Sequence, residues 1–464
     1  MVVVQASKLN LPNPSLCSPH ITSLLFEPNS LSLALMHSDS TFSLYPSVSP
    51  LSLSSLPPPQ TLINPPSSSS TFLLLQNPNP NLNTRVLFIV SGPYRGGSQV
   101  LLRFYILHRQ KQFVRSKVVC NQKDLHFDQK LGVLVDSNHG VSIKLAGSVN
   151  FFAMYSVSSS KIWVFAVKAV SNGDDDDDGV AVKLMRCAVI DCCKLVWSIS
   201  ISFGFLILGE DDGVRVLNLR QLVKGRVRNS RTSNLSLKLG LANGVVGDNV
   251  NSAAGDCGHK HASGKCEGTL EKTCNVYLCR KSDRNYVSVK QRSVKLKQDS
   301  CEEGVCFAAF KSKEFETSKS RRRIPLKAIS IDAVSPNKFV ILDSDGGLHL
   351  LHLSSPVIGS DLITFMQQLP NTMKVQKLAV LPDIATRTQS VWVSDGYNSV
   401  QMMVVSDMGS AVNENDVNES EEKPMQFTVG LTIFAGEKIQ DLTPLAANAI
   451  LILGQGNLYT YATS

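Results

Sequence analysis

The sequence predicts an all-β chain: a seven-bladed β-propeller interrupted by a long, partly disordered basic insertion. Three observations lead there. Short apolar runs broken by sharp polar turns recur along the chain, as in KFVILDSDGGLHLLHL (338–353). They return at intervals of about one four-stranded unit: Gly346 to Gly396 is 50 residues and Gly396 to Gly456 is 60. The basic residues that would break this rhythm are concentrated in one segment.

In 338–353 the entering residues are aromatic and β-branched, as strands prefer. Asp345 is suited to capping turn amides, and Gly346 and Gly347 tolerate positive φ. The same grammar appears at 32–45 (turn Asp39), 130–145 (Asp136, Gly140), 204–219 (Asp212, Gly213), 390–405 (Asp395, Gly396) and 449–462 (Gly456). These repeated turn residues read as structural. Several of the hairpins follow another short strand, giving a four-stranded antiparallel unit with one hydrophobic face. Such a unit cannot cover that face alone but can do so stacked radially against copies of itself. The expected units centre on 21–45, 86–107, 131–167, 184–219, 328–353, 375–405 and 439–462, with 131–167 open to division between neighbours. A sandwich of short strands is the competing arrangement.

The expected organisation is an N-terminal extension (1–20), a first propeller part (21–219), the basic insertion (220–325) and a second propeller part (326–464). Loops are expected at 46–71 (Pro/Ser-rich), 172–179 (acidic, NGDDDDDG) and 412–424 (acidic). The insertion carries 22 Lys and Arg against 10 Asp and Glu, so the rest of the chain is net −4 beside a total of +8. Basicity is therefore local, which argues against a fold-wide nucleic-acid surface.

KSRRRIPLK (319–327) groups Lys319, Arg321, Arg322, Arg323 and Lys327. It fits a nuclear-import signal, phosphate contact with nucleic acid, or a merely solvated loop. CGHKHASGKC places Cys257, His259, His261 and Cys266 together, residue types that zinc selects. The spacing lacks the C-x₂₋₄-C knuckle of compact fingers, so free surface cysteines are the expectation. The 11 cysteines form no even framework and suit a reducing compartment.

No dinucleotide or P-loop fingerprint, HExxH or GxSxG occurs. No catalytic residue and no cofactor is therefore expected. GPYRGGS (92–98) joins strands rather than opening a helix, which makes it a weak phosphate cradle. His349 and His352 point to opposite faces of one strand and form no two-ligand site. No apolar run approaches 18 residues, so no membrane partner is expected. The start lacks a secretory signal pattern, and its serine content leaves organelle targeting open.

The hairpins SVWVSDGYNSVQMMVV, FVILDSDGGLHLLHLS and FLILGEDDGVRVLNLR resemble the closing strands of blades in the WD40-like β-propeller class. The terminal Trp-Asp pair and the upstream Gly-His pair of that class are missing. Serine- and asparagine-rich loops beside the Pro-rich insert also give the sequence a likeness to plant proteins. The family resemblance implies a rigid platform for other proteins. The basic run at 319–327 favours the nucleus over the cytoplasm as its location. The other reading is a nucleic-acid-associated protein that contacts phosphates through 220–325.

Overall fold

The computed structural model describes residues 4–10, 19–49, 54–77, 84–109, 111–120, 122, 125–137, 142–170, 181–224, 294–299, 305–310, 324–354, 362–370, 373–381, 389–407 and 425–463. They form seven sheets, antiparallel throughout except for two short strands that lie parallel to the fourth strand of the third sheet. The inner strands neighbour one another in cyclic order: Ile21–Glu27, Ser69–Leu75, Ile143–Gly147, Ser198–Ser202, Ala328–Ser335, Lys377–Val380, Asp441–Ala446, and back to the first. This is a closed seven-bladed β-propeller.

Each seam between adjacent blades holds its own buried apolar cluster, seven among the described residues. Phe42 and Phe88 meet edge-on between blades one and two, and Phe104, Phe152 and Phe165 fill the next seam. A blade is thus buried on both faces, not on one as the alternating pattern predicts. That is why the second strands read as unbroken apolar runs, such as the fully buried AILIL of Ala449–Leu453.

The strand assignments correct several expected boundaries. Val4–Leu9 is no extension: it pairs antiparallel with Leu458–Thr463 as the outer strand of blade seven, and Leu9 is buried in the seam with blade one. The Pro/Ser-rich stretch contributes Thr61–Ile63, a short outer strand where proline on the flanks is tolerated. Residues 130–145 are not a hairpin: Gly132–Asp136 belongs to blade two and Ile143–Gly147 to blade three, so 131–167 divides between them. Ala181–Asp191 likewise closes blade three rather than opening blade four. The tight turn of blade two is instead 95–98, the end of GPYRGGS, closed by the Tyr94–Gln99 pair.

The basic segment is narrower than its composition suggests. Val294–Lys297 lies parallel to the outer strand of blade three, and Val305–Ala309 is the outer strand of blade four. Between them Gln298 is fully buried. Its Nε2 donates to Glu210 Oε1 (2.9 Å), and its Oε1 accepts the Lys194 amide (2.8 Å). Glu210, also buried, pairs with Arg215 through Nε (2.5 Å) and Nη2 (3.1 Å). A buried charge pair is tolerable only when such extra hydrogen bonds satisfy it. The acidic loops 172–179 and 412–424 lie outside the described residues.

Candidate interaction face

At one end of the ring, the turn joining the second and third strands of a blade meets the linker that leaves that blade for the next. In blade four, Asp212 holds both ends of the 311–325 stretch. Its amide donates to Leu326 O (2.6 Å), its Oδ1 accepts the Leu326 amide (2.9 Å), and its carbonyl accepts the Phe310 amide (2.8 Å). Gly213 is required beside it because a Cβ would stand 2.2 Å from Ala308 O.

In blade five the capping carboxylate is Asp343, not Asp345. Asp343 Oδ1 accepts the Asp345 and Gly347 amides, both at 2.8 Å. Asp345 reaches outward to Lys374 Nζ (3.2 Å). Asp343 ends the entering strand, two and four residues before the amides it accepts, and so faces into the turn, which SDGG alone does not reveal. Gly346 adopts φ +88 and receives the Val375 amide on its carbonyl (3.2 Å). In blade six Asp395 Oδ1 accepts the Tyr397 and Ser399 amides, with Gly396 at φ +74. The Tyr397 carbonyl then accepts the Ile439 amide of the next linker (2.8 Å).

Other repeat-turn residues play different parts. Asp39 Oδ1 takes the Thr41 amide and hydroxyl (2.9 and 2.7 Å), and that amide above all holds its carboxyl below the ordinary value. Asp136 sits on an outer strand and accepts from Gln99 Nε2 (2.8 Å). Gly140 lies outside the described residues. The Gly456 turn is held by Glu437 of the preceding linker, which accepts from the Gln455 amide, Asn457 Nδ2 and Tyr459 Oη. The hydrogen bond to Glu437 pushes the Tyr459 hydroxyl up to about 12.

Sequence reasoning passed over Trp197, at the entry to blade four. Its Nε1 donates to Asp211 Oδ1 (2.8 Å), its carbonyl accepts from Lys144 Nζ, and Lys327 Nζ stands 3.9 Å above its ring. Lys327 is thereby engaged on an indole rather than free for phosphate. The other members of its cluster, Lys319 and Arg321 to Arg323, lie outside the described residues. The indole is half-buried, and in the stretches of chain that carry it and Lys327, Leu195 is 50% exposed, Ile324 83% and Ile329 41%. Two blades along, Tyr397 is 61% exposed with Lys438 near its ring. The visible signal was a tryptophan at a strand's very start, and isoleucines flanking the Pro-Leu-Lys stretch.

The inner strands surround a polar channel. A cavity of about 230 Å³ is lined by Thr71, Gly147, Ser200, Ser202, Asp332 and neighbours. Asp332 is half-buried in the wall of this cavity. Burial pushes its carboxyl up to about 6, against the opposing Ser330 hydrogen bond. His349 Nε2 contacts Asp343 Oδ2 (2.7 Å) and the ring stacks on Phe310 (4.1 Å). Both partners are almost wholly buried, so no substrate reaches them. Burial would raise Asp343, but the His349 and amide hydrogen bonds outweigh it and hold the carboxyl low. Cys257, His259, His261 and Cys266 fall outside the described residues, among which no three metal-ligating side chains converge.

These features define the class: a closed β-propeller with polar turns and linkers gathered on one face. No protein-family model and no curated protein matches the chain. Among solved structures it resembles the β-propeller domain of Myceliophteria thermophila Cps50 (Swd1), with 6% identity over 99% of this chain and 100% of that one, and a TM-score of 0.47. It is also similar to the RRP9 WD40 repeats (8% identity, 100% of both chains, TM-score 0.43) and to U3-55K (8%, 98% of both, 0.42).

Proposed function

We propose that this chain is a non-enzymatic scaffold that binds other proteins through its linker-and-turn face, centred on Trp197. The observation that carries the reading is the fixed indole. Asp211 and Lys327 hold the ring, Lys144 holds the backbone carbonyl of the same residue, and exposed Leu195, Ile324 and Ile329 belong to the same stretches of chain. Tryptophan and tyrosine dominate the energetics of protein interfaces, and an anchor immobilised beforehand loses little entropy on binding. Turns pinned to linkers give the same face a rigid frame.

The test compares proteins recovered with the intact chain, with Trp197→Ala/Tyr397→Ser, and with a form lacking 226–290. That deletion spares Val294–Lys297, Gln298 and the outer strand of blade four. The expected partners survive the deletion and disappear with the face variant, while thermal unfolding stays cooperative in both. Partners that ignore the face variant but are lost with salt or with neutralised Lys319 and Arg321 to Arg323 would transfer recognition to the basic segment.

A further inference from the structure

The third and fourth strands of blade three, Lys161–Val170 and Ala181–Asp191, are ten and eleven residues long. On the side turned to blade four, Ile162, Val164, Ala188 and Ile190 are buried in the seam. The same side continues past its cover, and there the residues become Lys168 and Lys183, both exposed. The strand register sets these two lysines directly opposite one another. A parallel strand, Lys117–Val119, flanks them: Val119 is level with Lys183, and exposed Lys117 projects from the same side two residues away.

Like charges directly opposite across a sheet destabilise it. None of the three lysines has an acidic partner among the described residues. A local conflict of this kind, retained in an otherwise consistent sheet, is a mark of function.

We propose that this overhanging ledge, Lys117, Lys168 and Lys183 around Val119, is a docking surface for an acidic, extended peptide segment of a partner protein. Three ammonium groups on adjacent strands match carboxylates spaced along an extended chain. Val119, 41% exposed between them, offers an apolar contact that a phosphate backbone would not use. The ledge is small beside the six to ten or so phosphate contacts of typical nucleic-acid binders, and it carries no aromatic ring for base stacking. It is distinct from the Trp197 face and does not depend on it.

The test measures binding of a short fluorescent peptide of alternating glutamate and valine to the full chain by anisotropy, with a single-stranded RNA as competitor. Lys168→Glu and Lys183→Glu should each weaken peptide binding about tenfold. Each should also raise the melting temperature by about 1 °C, because an opposite pair replaces a like one. Lys295→Glu, an exposed lysine on the other side of the blade, should change neither. Because Asp174 to Asp178 fall between the two strands in the sequence and carry the charge of the peptide, a form with these five changed to Asn is measured alongside. Failure of both wild type and that form to bind the peptide overturns the proposal. So does peptide binding indifferent to Lys168 and Lys183, or RNA bound in place of the peptide.

Discussion

Blades four and seven are both completed by an outer strand from far away in the chain, and they hold it differently. Blade seven takes Val4–Leu9, the first described strand, to close the ring against Leu458–Thr463. Its grip is backbone pairing plus burial of Leu9, with Asn10 bridged to Ser54 and Leu56 near blade one. Blade four takes Val305–Ala309 across the long insertion and surrounds it with polar pins: Glu210, Arg215, Gln298 and Asp212. One closure is apolar and repetitive. The other is specific, because a chain returning from an excursion must find one register among several.

The largest effect should come from removing residues 1–9. This strips an entire strand, and thermal unfolding should begin far lower than in Leu9→Ala, which itself costs about 2–5 kcal/mol as a core truncation. If the shortened chain melts like the intact one, blade seven does not depend on that strand. Next comes Glu210→Ala, which leaves the Arg215 guanidinium buried without its partner, at a cost of about 3–5 kcal/mol by chemical denaturation. Gln298→Ala should cost about 1–3 kcal/mol, since the Lys194 amide loses its acceptor. Equal losses from Leu9→Ala and Gln298→Ala would erase the proposed contrast. Asp212→Ala should cost about 1–2 kcal/mol and increase proteolysis near 311–323 more than elsewhere.

The smallest effect is a pH dependence at the ring's closing seam. Asp441 accepts the Leu24 amide (2.8 Å) across the junction of blades seven and one. Burial raises its carboxyl above 3.8, against the lowering pull of that amide and Lys377. A raised folded value means the contribution is complete below 3.8 and is lost as pH rises through the folded value. Melting of Asp441→Asn relative to wild type should therefore improve steadily as pH rises from the acid side. A flat difference would show that the seam holds this carboxyl without strain.

The blades were legible wherever a second and third strand were joined by a short turn, because both sequence and structure there are local. SDGG, EDDG and SDGY mark real turns of blades five, four and six. The outer strands Val4–Leu9 and Thr61–Ile63 were not legible, since they acquire their identity from partners elsewhere in the chain. VKLK sits within the basic segment, and its place in the fold is set by Leu296, which enters the seam between blades three and four. The interaction face was hidden for a related reason. Nothing in LVWSIS announces that Asp211 and Lys327 will converge on its indole while Lys144 reaches its carbonyl.

Asp212 carries one more implication. Because a single residue fastens Phe310 and Leu326 together, the ring experiences whatever lies between them as a closed circuit of fixed span. The entropy of closing such a circuit grows only slowly with its length. A foreign recognition peptide spliced between Phe310 and Leu326 should therefore leave the propeller's geometry intact, which makes this position a natural port for grafting.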